Sequence, residues 1–377
     1  MSKVTERSTP ANDSGADLGN LSQALSQVFS QSPRPQSHRK HTASPTTAAG
    51  RQGLKYLTGG TFVLLLAGCG GDQSALAPAG AAAREIATLW WWMFGAATLI
   101  FAVVLFLLLY ASLVPAGRRR AVPPRKLIIG GGIVFPVIAL SLLLLLGINV
   151  GSSMSDSTPA DTLKIRITGY QWWWEAEYFL EGDASSFVTA NELYLPVGRQ
   201  AELILESADV IHSFWLPKLA GKKDLIPGMT NRLVVNAEEP GIFRGQCAEY
   251  CGTAHTKMAF AAVAVSPDEF EAWALRQSQP QPDEMNEHPG ARLFKENGCG
   301  LCHTVRGHAA QGKEAPDLTH VGSRKTIAAG VLEMTPRNVA RWLAHNNEIK
   351  PGNKMPEYQY LDLGSRLAIG DYLESLK

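Results

Sequence analysis

G-Q-C-A-E-Y-C-G-T-A-H-T-K-M, from Gly245 to Met258, sets two thiols (Cys247, Cys251), an imidazole (His255), a carboxylate (Glu249) and a thioether (Met258) in one turn-rich segment. Soft sulfur ligands beside an imidazole suit copper, zinc or iron. Zinc sites seldom use methionine, whereas copper electron-transfer sites often carry a weak axial one, so Met258 favours copper. A second imidazole, His212, lies upstream in D-V-I-H-S-F-W-L-P, from Asp209 to Pro217. One mononuclear copper needs a single thiolate; two thiolates at this spacing can bridge two coppers, each capped by one histidine. Two alternatives stand on spacing alone. A four-ligand zinc site from Cys247, Cys251, His255 and His212 leaves Met258 without a role. A Cys247–Cys251 disulfide in an oxidising compartment leaves the histidine and methionine placement unexplained.

The segment resembles the dinuclear copper (CuA) loop of cytochrome c oxidase subunit two. The His212 stretch, D-L-I-P-G-M-T-N (Asp224 to Asn231) and G-Y-Q-W-W-W-E-A-E-Y (Gly169 to Tyr178) resemble the same family. The resemblance implies His212, Cys247, Cys251, His255 and Met258 as side-chain copper ligands and Glu249 as a backbone-carbonyl ligand. It also implies that the Glu249 side chain binds magnesium or manganese at the face of subunit I, and that Trp172 lies near the surface where electrons are taken up. Residue geometry adds a constraint on Trp172, Trp173 and Trp174. Successive strand side chains point to opposite faces, so at least one of the three is exposed or packed against a partner.

Outward from the copper domain, short alternating runs read as strands: Thr162 to Thr168, Glu192 to Pro196, Glu202 to Glu206 and Arg232 to Asn236. Turn signals at Pro196-Val197-Gly198 and Glu239-Pro240-Gly241 separate them, which predicts a β-sandwich. The resemblance makes it cupredoxin-like, over residues 160–266.

Pro267 to Gln277 reads as an amphipathic helix and Ser278 to Pro282 as a polar linker, within a 267–284 connection. Then Cys299-Gly300-Leu301-Cys302-His303 gives C-x-x-C-H, the attachment pattern of covalent haem c, with His303 as an axial ligand. Helical patterns at His288–Asn297, Asn338–His345 and Leu361–Leu376 predict an all-α class-one cytochrome c domain over 285–377. Met355, in K-P-G-N-K-M-P, matches the family's distal ligand; Met334 is the rival, but it immediately precedes a helix cap at Thr335-Pro336. A short linker makes this module a tethered donor, at an effective concentration on the order of millimolar at the copper surface.

Toward the amino terminus, Ile86 to Leu113 and Leu127 to Val150 are apolar runs longer than the ~20 residues that span a hydrocarbon core. These predict transmembrane helices at 86–113 and 127–150, the first opening on interfacial tryptophans Trp90 to Trp92. Arg118-Arg119-Arg120 and Arg125-Lys126 between them make that loop cytoplasmic and put both redox modules on the outer, periplasmic face. Pro136 should kink the second helix. V-P-P-R-K-L-I-I-G-G-G at its start lacks the acid that many family members use in proton uptake, a departure from the family pattern. Residues 1–50 are rich in Ser, Gln, Pro and Thr and read as a disordered extension. Residues 51–69 combine Arg51 and Lys55 with the apolar Phe62–Leu66 and Leu66-Ala67-Gly68-Cys69, a secretory signal whose end resembles a lipobox, with Cys69 as the lipidated residue.

The 377 residues therefore read as a multidomain membrane protein: a two-helix transmembrane hairpin, a cupredoxin-like β-sandwich and a helical cytochrome c domain. Its net charge of +1 gives no reason to expect a nucleic-acid partner. All five cysteines have a candidate role, so no disulfide scaffold is expected. The resemblance is to bacterial oxidase subunit II with a fused cytochrome c domain (a caa-type oxidase) in the inner membrane. It implies subunits I and III as partners, cytochrome c or a quinol–cytochrome c reductase as donor, and membrane lipid around the helices. In that complex dioxygen is reduced to water in subunit I with proton pumping. The copper subunit of a nitric oxide reductase can carry the same loop. A copper-delivery lipoprotein would have no use for a fixed haem.

Overall fold

The computed structural model describes residues 71–119, 123–153, 162–180 and 186–377. The amino-terminal extension, the signal with Cys69, Arg120 and most of the 151–159 linker lie outside these residues. Helix α1 runs Ala81–Leu113. The second apolar helix is built of α2 (Pro124–Ile129), a wider π turn (Gly130–Val134) and α3 (Phe135–Ser153). The departure from α geometry falls one turn before Pro136. That proline has no N–H to offer the Gly132 carbonyl and its ring crowds it, so a widened turn relieves the clash. Both helices are long and apolar enough to cross a membrane. Their large side chains, such as Trp92 and Leu99, are exposed. A continuous apolar surface of that extent requires lipid or protein cover.

Ten strands form two five-stranded sheets. The first has the order β3-β2-β1-β5-β8 and the second β4-β10-β9-β6-β7. In the first, β1 (Leu163–Tyr170) pairs antiparallel with β2 (Trp173–Phe179) and parallel with β5 (Ala201–Ser207). Strand β3 (Phe187–Ala190) and strand β8 (Asn231–Val235) close its edges. The second comprises β4 (Glu192–Pro196), β6 (His212–Trp215), β7 (Lys222–Leu225), β9 (Gly241–Cys247) and β10 (Ala259–Val265). Alternation fixes the facing: Ile165 and Ile167 of β1 and Trp174, Ala176 and Tyr178 of β2 point into one core. Near the Gly245–Met258 loop that core is aromatic. The Trp174 ring meets Phe214 edge-on at 5.3 Å, and Phe214 stacks on Phe260 at 4.1 Å. The chain just before α1 joins this sandwich: Ala79 N–H donates to Lys218 O (2.7 Å) and Ala79 O accepts from Glu238 N–H (3.0 Å).

Helix α4 (Pro267–Ser278) leaves the sandwich behind a capping box of Ser266 and Glu269. The following polar stretch does not behave as the free tether its composition predicts. Gln281 is buried, donating to Thr319 O (2.6 Å), and Arg306 Nη1 donates to Ser278 O (2.9 Å). The helical module contains α5 (Pro289–Glu296), α6 (Pro336–Ile349) and α7 (Leu363–Ser375) around a core of Phe294, Val305, Leu343, Ile369 and Tyr372. It also contains a small hairpin, β11 (Thr326–Ile327) with β12 (Leu332–Glu333), absent from the sequence reading. The hairpin loop docks on the sandwich: Ala259 N–H donates to Ala329 O (3.1 Å). Buried Glu192 of β4 accepts from Lys325 N–H (2.5 Å). Ala328 and Ala329 sit there in the left-handed region, with φ 56 and 60. Non-glycine residues hold that conformation only where surrounding contacts over-determine it. The two modules are therefore seated on each other through a built seam.

Candidate functional site

Five side-chain donors and one carbonyl converge at one end of the sandwich. His212 opens β6, Cys247 closes β9, and Cys251, His255 and Met258 lie on the β9–β10 connection. Cys247 Sγ and Cys251 Sγ are 3.7 Å apart. His212 Nδ1 lies 3.9 Å from Cys247 Sγ, and His255 Nδ1 lies 3.5 Å from Cys251 Sγ. Met258 Sδ is 3.8 Å from Cys251 Sγ, while Glu249 O is 3.2 Å from Cys247 Sγ. The thiols form the centre, one imidazole flanks each, and the thioether and the carbonyl sit beside different thiols. His212, Cys247 and Cys251 are buried and hold their ligand atoms within 4.8 Å of one another. This donor set fits a pair of coppers bridged by two thiolates. It does not suit a single tetrahedral zinc, for which the carbonyl and thioether would be superfluous.

Local structure fixes each donor. Asp209, three residues before His212, bonds His212 Nε2 at 2.8 Å and accepts from Gln171 N–H at 2.7 Å. A carboxylate on Nε2 leaves Nδ1 as the lone-pair nitrogen facing the thiols. A Cβ at Gly169 would lie 3.0 Å from the His212 ring, so the chain approaches the imidazole as closely as only glycine allows. The two thiols share acidity unequally. Cys247 is pushed down, chiefly by its bond with Cys251 and next by His212. Cys251 is pushed up because the Cys247 thiolate faces it. The Glu249 side chain is exposed and accepts from Tyr250 N–H within its own loop (3.3 Å).

Trp172 sits against this loop. Its Nε1–H donates to Cys251 O at 3.0 Å, and Gln171 Nε2 donates to the same oxygen at 2.8 Å. The indole is 7% exposed, so it is not on an open surface. A Cβ at Gly252 would lie 3.0 Å from Cζ2 of the ring, and one at Gly352 of the helical module 3.1 Å from Cη2. The absent Cβ is what lets the backbone come so close, and both glycines also hold a positive φ, 117 and 79, that other residues rarely adopt. Of its neighbours, Trp174 is core and Trp173 is half-buried, stacked on Tyr170 at 4.4 Å. Strand alternation divides only Trp173 from Trp174, because Trp172 falls in the turn before β2 and packs against the chain's own second module.

In that module Cys299 is buried and Cys302 exposed on one 3-10 turn. His303 Nδ1 donates to Pro316 O at 2.8 Å, leaving Nε2 as the lone-pair donor. Burial holds His303 below its ordinary pKa, which favours the neutral, ligating imidazole, and pushes Cys299 up to about 11. These features fit a haem bound through two thioethers and one imidazole. Met355 and Met334 both pack on the same core as Cys299. Met355 Sδ accepts from Trp342 Nε1–H at 3.1 Å, and its N–H donates to Asn353 Oδ1 at 3.0 Å. Asp209, Gln171, Gly352 and Pro316 carry the geometry without having been singled out from sequence. Only Asp209 had a local signal, its i−3 spacing from His212.

A sulfur-rich dinuclear metal loop on a sandwich, with a haem-attachment turn in a second module, defines a carrier of one-electron centres. The family profile described as cytochrome c oxidase subunit II, periplasmic domain, matches residues 175–265, and the profile described as cytochrome c matches 288–377. Cytochrome c oxidase subunit 2 of Alkalihalophilus pseudofirmus is 37% identical over 251 residues, 65% of this chain and 71% of that one. Its counterpart in Bacillus subtilis is 32% identical over 264 residues, 65% of this chain and 73% of that one. The crystal structure of the periplasmic domain of cytochrome oxidase subunit II from Bradyrhizobium japonicum is 33% identical. It covers 32% of this chain and 96% of its own, with a TM-score of 0.30. The chain belongs to the cytochrome c oxidase subunit 2 family and carries a fused carboxy-terminal cytochrome c domain. It is a component of a haem-copper oxidase, and its two domains imply dinuclear copper and haem c.

Proposed function

We propose that this chain carries electrons from its cytochrome module, across the Trp172 seam, to the copper loop and on to subunit I of the oxidase. When bound, haem c and the dinuclear copper supply one-electron carriers. Cys299 and Cys302 would hold the haem covalently, with His303 and Met355 as its axial ligands. Cys247 and Cys251 would bridge the coppers, His212 and His255 would cap one each, and Met258 and the Glu249 carbonyl would complete the two ends. Asp209 holds His212 in the ligating tautomer. The Trp174–Phe214–Phe260 cluster keeps water from the inner side of the loop. The observation that carries the reading is Trp172 itself, bonded to the Cys251 carbonyl and packed against Gly352, three residues from Met355.

Trp172→Phe tests it, because the change removes the Nε1–H donor and part of the ring while keeping an aromatic core. After flash reduction of the haem in the purified complex, copper reduction should slow by about tenfold, the usual consequence of loosening a positioned contact. An unchanged rate would show that electrons do not pass this way.

Subunits I and III, proton pumping and dioxygen reduction belong to this proposal through the family. So do a magnesium or manganese ion at the exposed Glu249 side chain, placement on the periplasmic face, and cytochrome c or a quinol–cytochrome c reductase as donor. Such a donor would meet the cytochrome module, since the seam covers Trp172. Lipidation at Cys69 is proposed from its lipobox. Intact-mass measurement of the membrane-extracted chain should find cleavage before Cys69 and an added diacylglycerol. An unlipidated mature terminus upstream of Cys69 would remove that role. Cys69→Ala should leave anchoring intact, because spanning helices hold far more firmly than acyl chains.

A further inference from the structure

Lys350 is 4% exposed and sits where α6 runs into the loop toward Met355. Its Nζ donates to Trp172 O of the copper module at 2.5 Å and to Ala328 O of the left-handed hairpin loop at 3.0 Å. Among the ion pairs of the described residues, none pairs it with a carboxylate. Burying an ammonium in that way is unfavourable, and a leucine or methionine of similar length would fill the space at less desolvation cost. Burial pushes its pKa down to about 7. The neutral amine still has two N–H donors for the two carbonyls, so the tie does not depend on charge. The loop it starts is braced by its own hydrogen bonds. Asn353 Nδ2 donates to Lys350 O (2.9 Å), Gly352 N–H donates to Asn347 Oδ1 (2.8 Å), and Met355 N–H donates to Asn353 Oδ1 (3.0 Å). The lysine therefore joins three things: the main chain of Trp172, the strained loop docked on β10, and the segment that carries Gly352 and Met355.

A second lysine crosses the seam from the other side. Lys257 Nζ donates to Ile349 O at 2.5 Å. It holds the end of α6 to the copper loop without reaching Trp172, so it supplies adhesion of the modules where Lys350 supplies registration of the indole.

We propose that Lys350 is a positioning residue for electron transfer between the two modules: it ties the Trp172 main chain to the Met355 loop and so fixes the indole against Gly352 and the Cys251 carbonyl. This rests on the reading of Trp172 as the link. The test uses the full oxidase complex with Lys350→Met, which keeps the length and loses both donors, and Lys257→Met beside it. Lys350→Met should leave the copper paramagnetic-resonance and haem optical spectra unchanged. Copper reduction after flash reduction of haem should slow at least about tenfold and become viscosity-dependent, as a contact that must now be found by diffusion. Amide exchange at Trp172, Trp173 and Gly352 should rise by a similar factor, a readout that does not pass through either metal centre. Lys257→Met should slow transfer by no more than about twofold, since surface adhesion is shared among several contacts.

Unchanged exchange and an unchanged rate in Lys350→Met overturn the proposal. So does an equal loss in Lys257→Met, which would make the seam a collective adhesion, and so does a changed copper spectrum in Lys350→Met. If Trp172→Phe slows transfer while Lys350→Met does not, only the clamp falls. If neither slows it, the Trp172 route falls as well.

Discussion

Cys251→Ser should convert the dinuclear copper site into a mononuclear one and lower turnover of the complex by at least about a hundredfold, the scale expected when a required centre loses its geometry. Cys251 Sγ is the hub of the donor cluster, 3.7 Å from Cys247 Sγ, 3.5 Å from His255 Nδ1 and 3.8 Å from Met258 Sδ. A serine hydroxyl there is a hard, protonated donor that cannot bridge soft metal ions. Beside the remaining thiolate, Cys247, stay the His212 imidazole and the Glu249 carbonyl, while His255 and Met258 lose the sulfur they flanked. Cys247→Ser should fail differently. It leaves Cys251, His255 and Met258, with His212 within 4.8 Å of Cys251 as a second imidazole; two histidines, one cysteine and a methionine are the set of a mononuclear electron-transfer copper, which should give its intense thiolate-to-copper colour. Copper content per chain and the hyperfine pattern separate the cases. In the wild type the unpaired electron should be shared by two copper nuclei, and in each variant it should sit on one. Two coppers per chain with an unaltered resonance in either variant would disprove thiolate bridging. Folding is not the weak point: the two thiols belong to a sandwich core that also holds Ile165, Trp174, Tyr178 and Leu203, and a serine is close to cysteine in size.

What was legible beforehand was what lies close together along the chain. The copper loop spans Gly245 to Met258, and C-x-x-C-H is contiguous, so their chemistry is visible without a fold. Strands β1, β4, β5 and β8 announced themselves by period-two alternation. Strand β10, A-F-A-A-V-A-V, is buried on both faces apart from Ala261 and Val265, and such a run carries no period to read. The four-residue strands β6 and β7 are too short to show one. The seam was invisible for a different reason. Lys350 meets Trp172 across 178 positions of sequence, and nothing local to either residue encodes the other. The same holds for Pro316 behind His303 and for the left-handed pair Ala328-Ala329, whose conformation is imposed by docking. The polar stretch after α4 looked like a tether because composition reports solvation on average. Gln281 instead spends its amide on Thr319 O and on His320 Nδ1 (3.2 Å).

Met355→Ala should leave the haem attached through Cys299 and Cys302 yet lower its potential on the order of 0.2 V, a fraction of the ~0.8 V that axial ligands command. For one electron ~59 mV is tenfold in equilibrium, so a fall of that size moves the haem–copper equilibrium by about a thousandfold toward reduced copper, and makes the haem correspondingly harder for a donor to reduce. Reductive titration of the haem in the complex measures the first effect, and steady-state turnover with a soluble donor should fall with it. The surroundings suit Met355 to the role. Trp342 orients its sulfur, Asn353 holds its backbone, and Asn346, fully buried, donates to Pro356 O at 2.9 Å. The Met334 main chain is tied to the hairpin, its N–H donating to Lys325 O (3.0 Å) just before the Thr335 cap of α6. Met334→Ala should therefore leave the haem spectrum and potential in place. If Met334→Ala disturbs them and Met355→Ala does not, the distal ligand is Met334. Because Lys350 and Gly352 hold the seam independently of the Met355 side chain, amide exchange at Trp172 should stay at the wild-type rate in Met355→Ala. A change in driving force is then distinguishable from a change in docking.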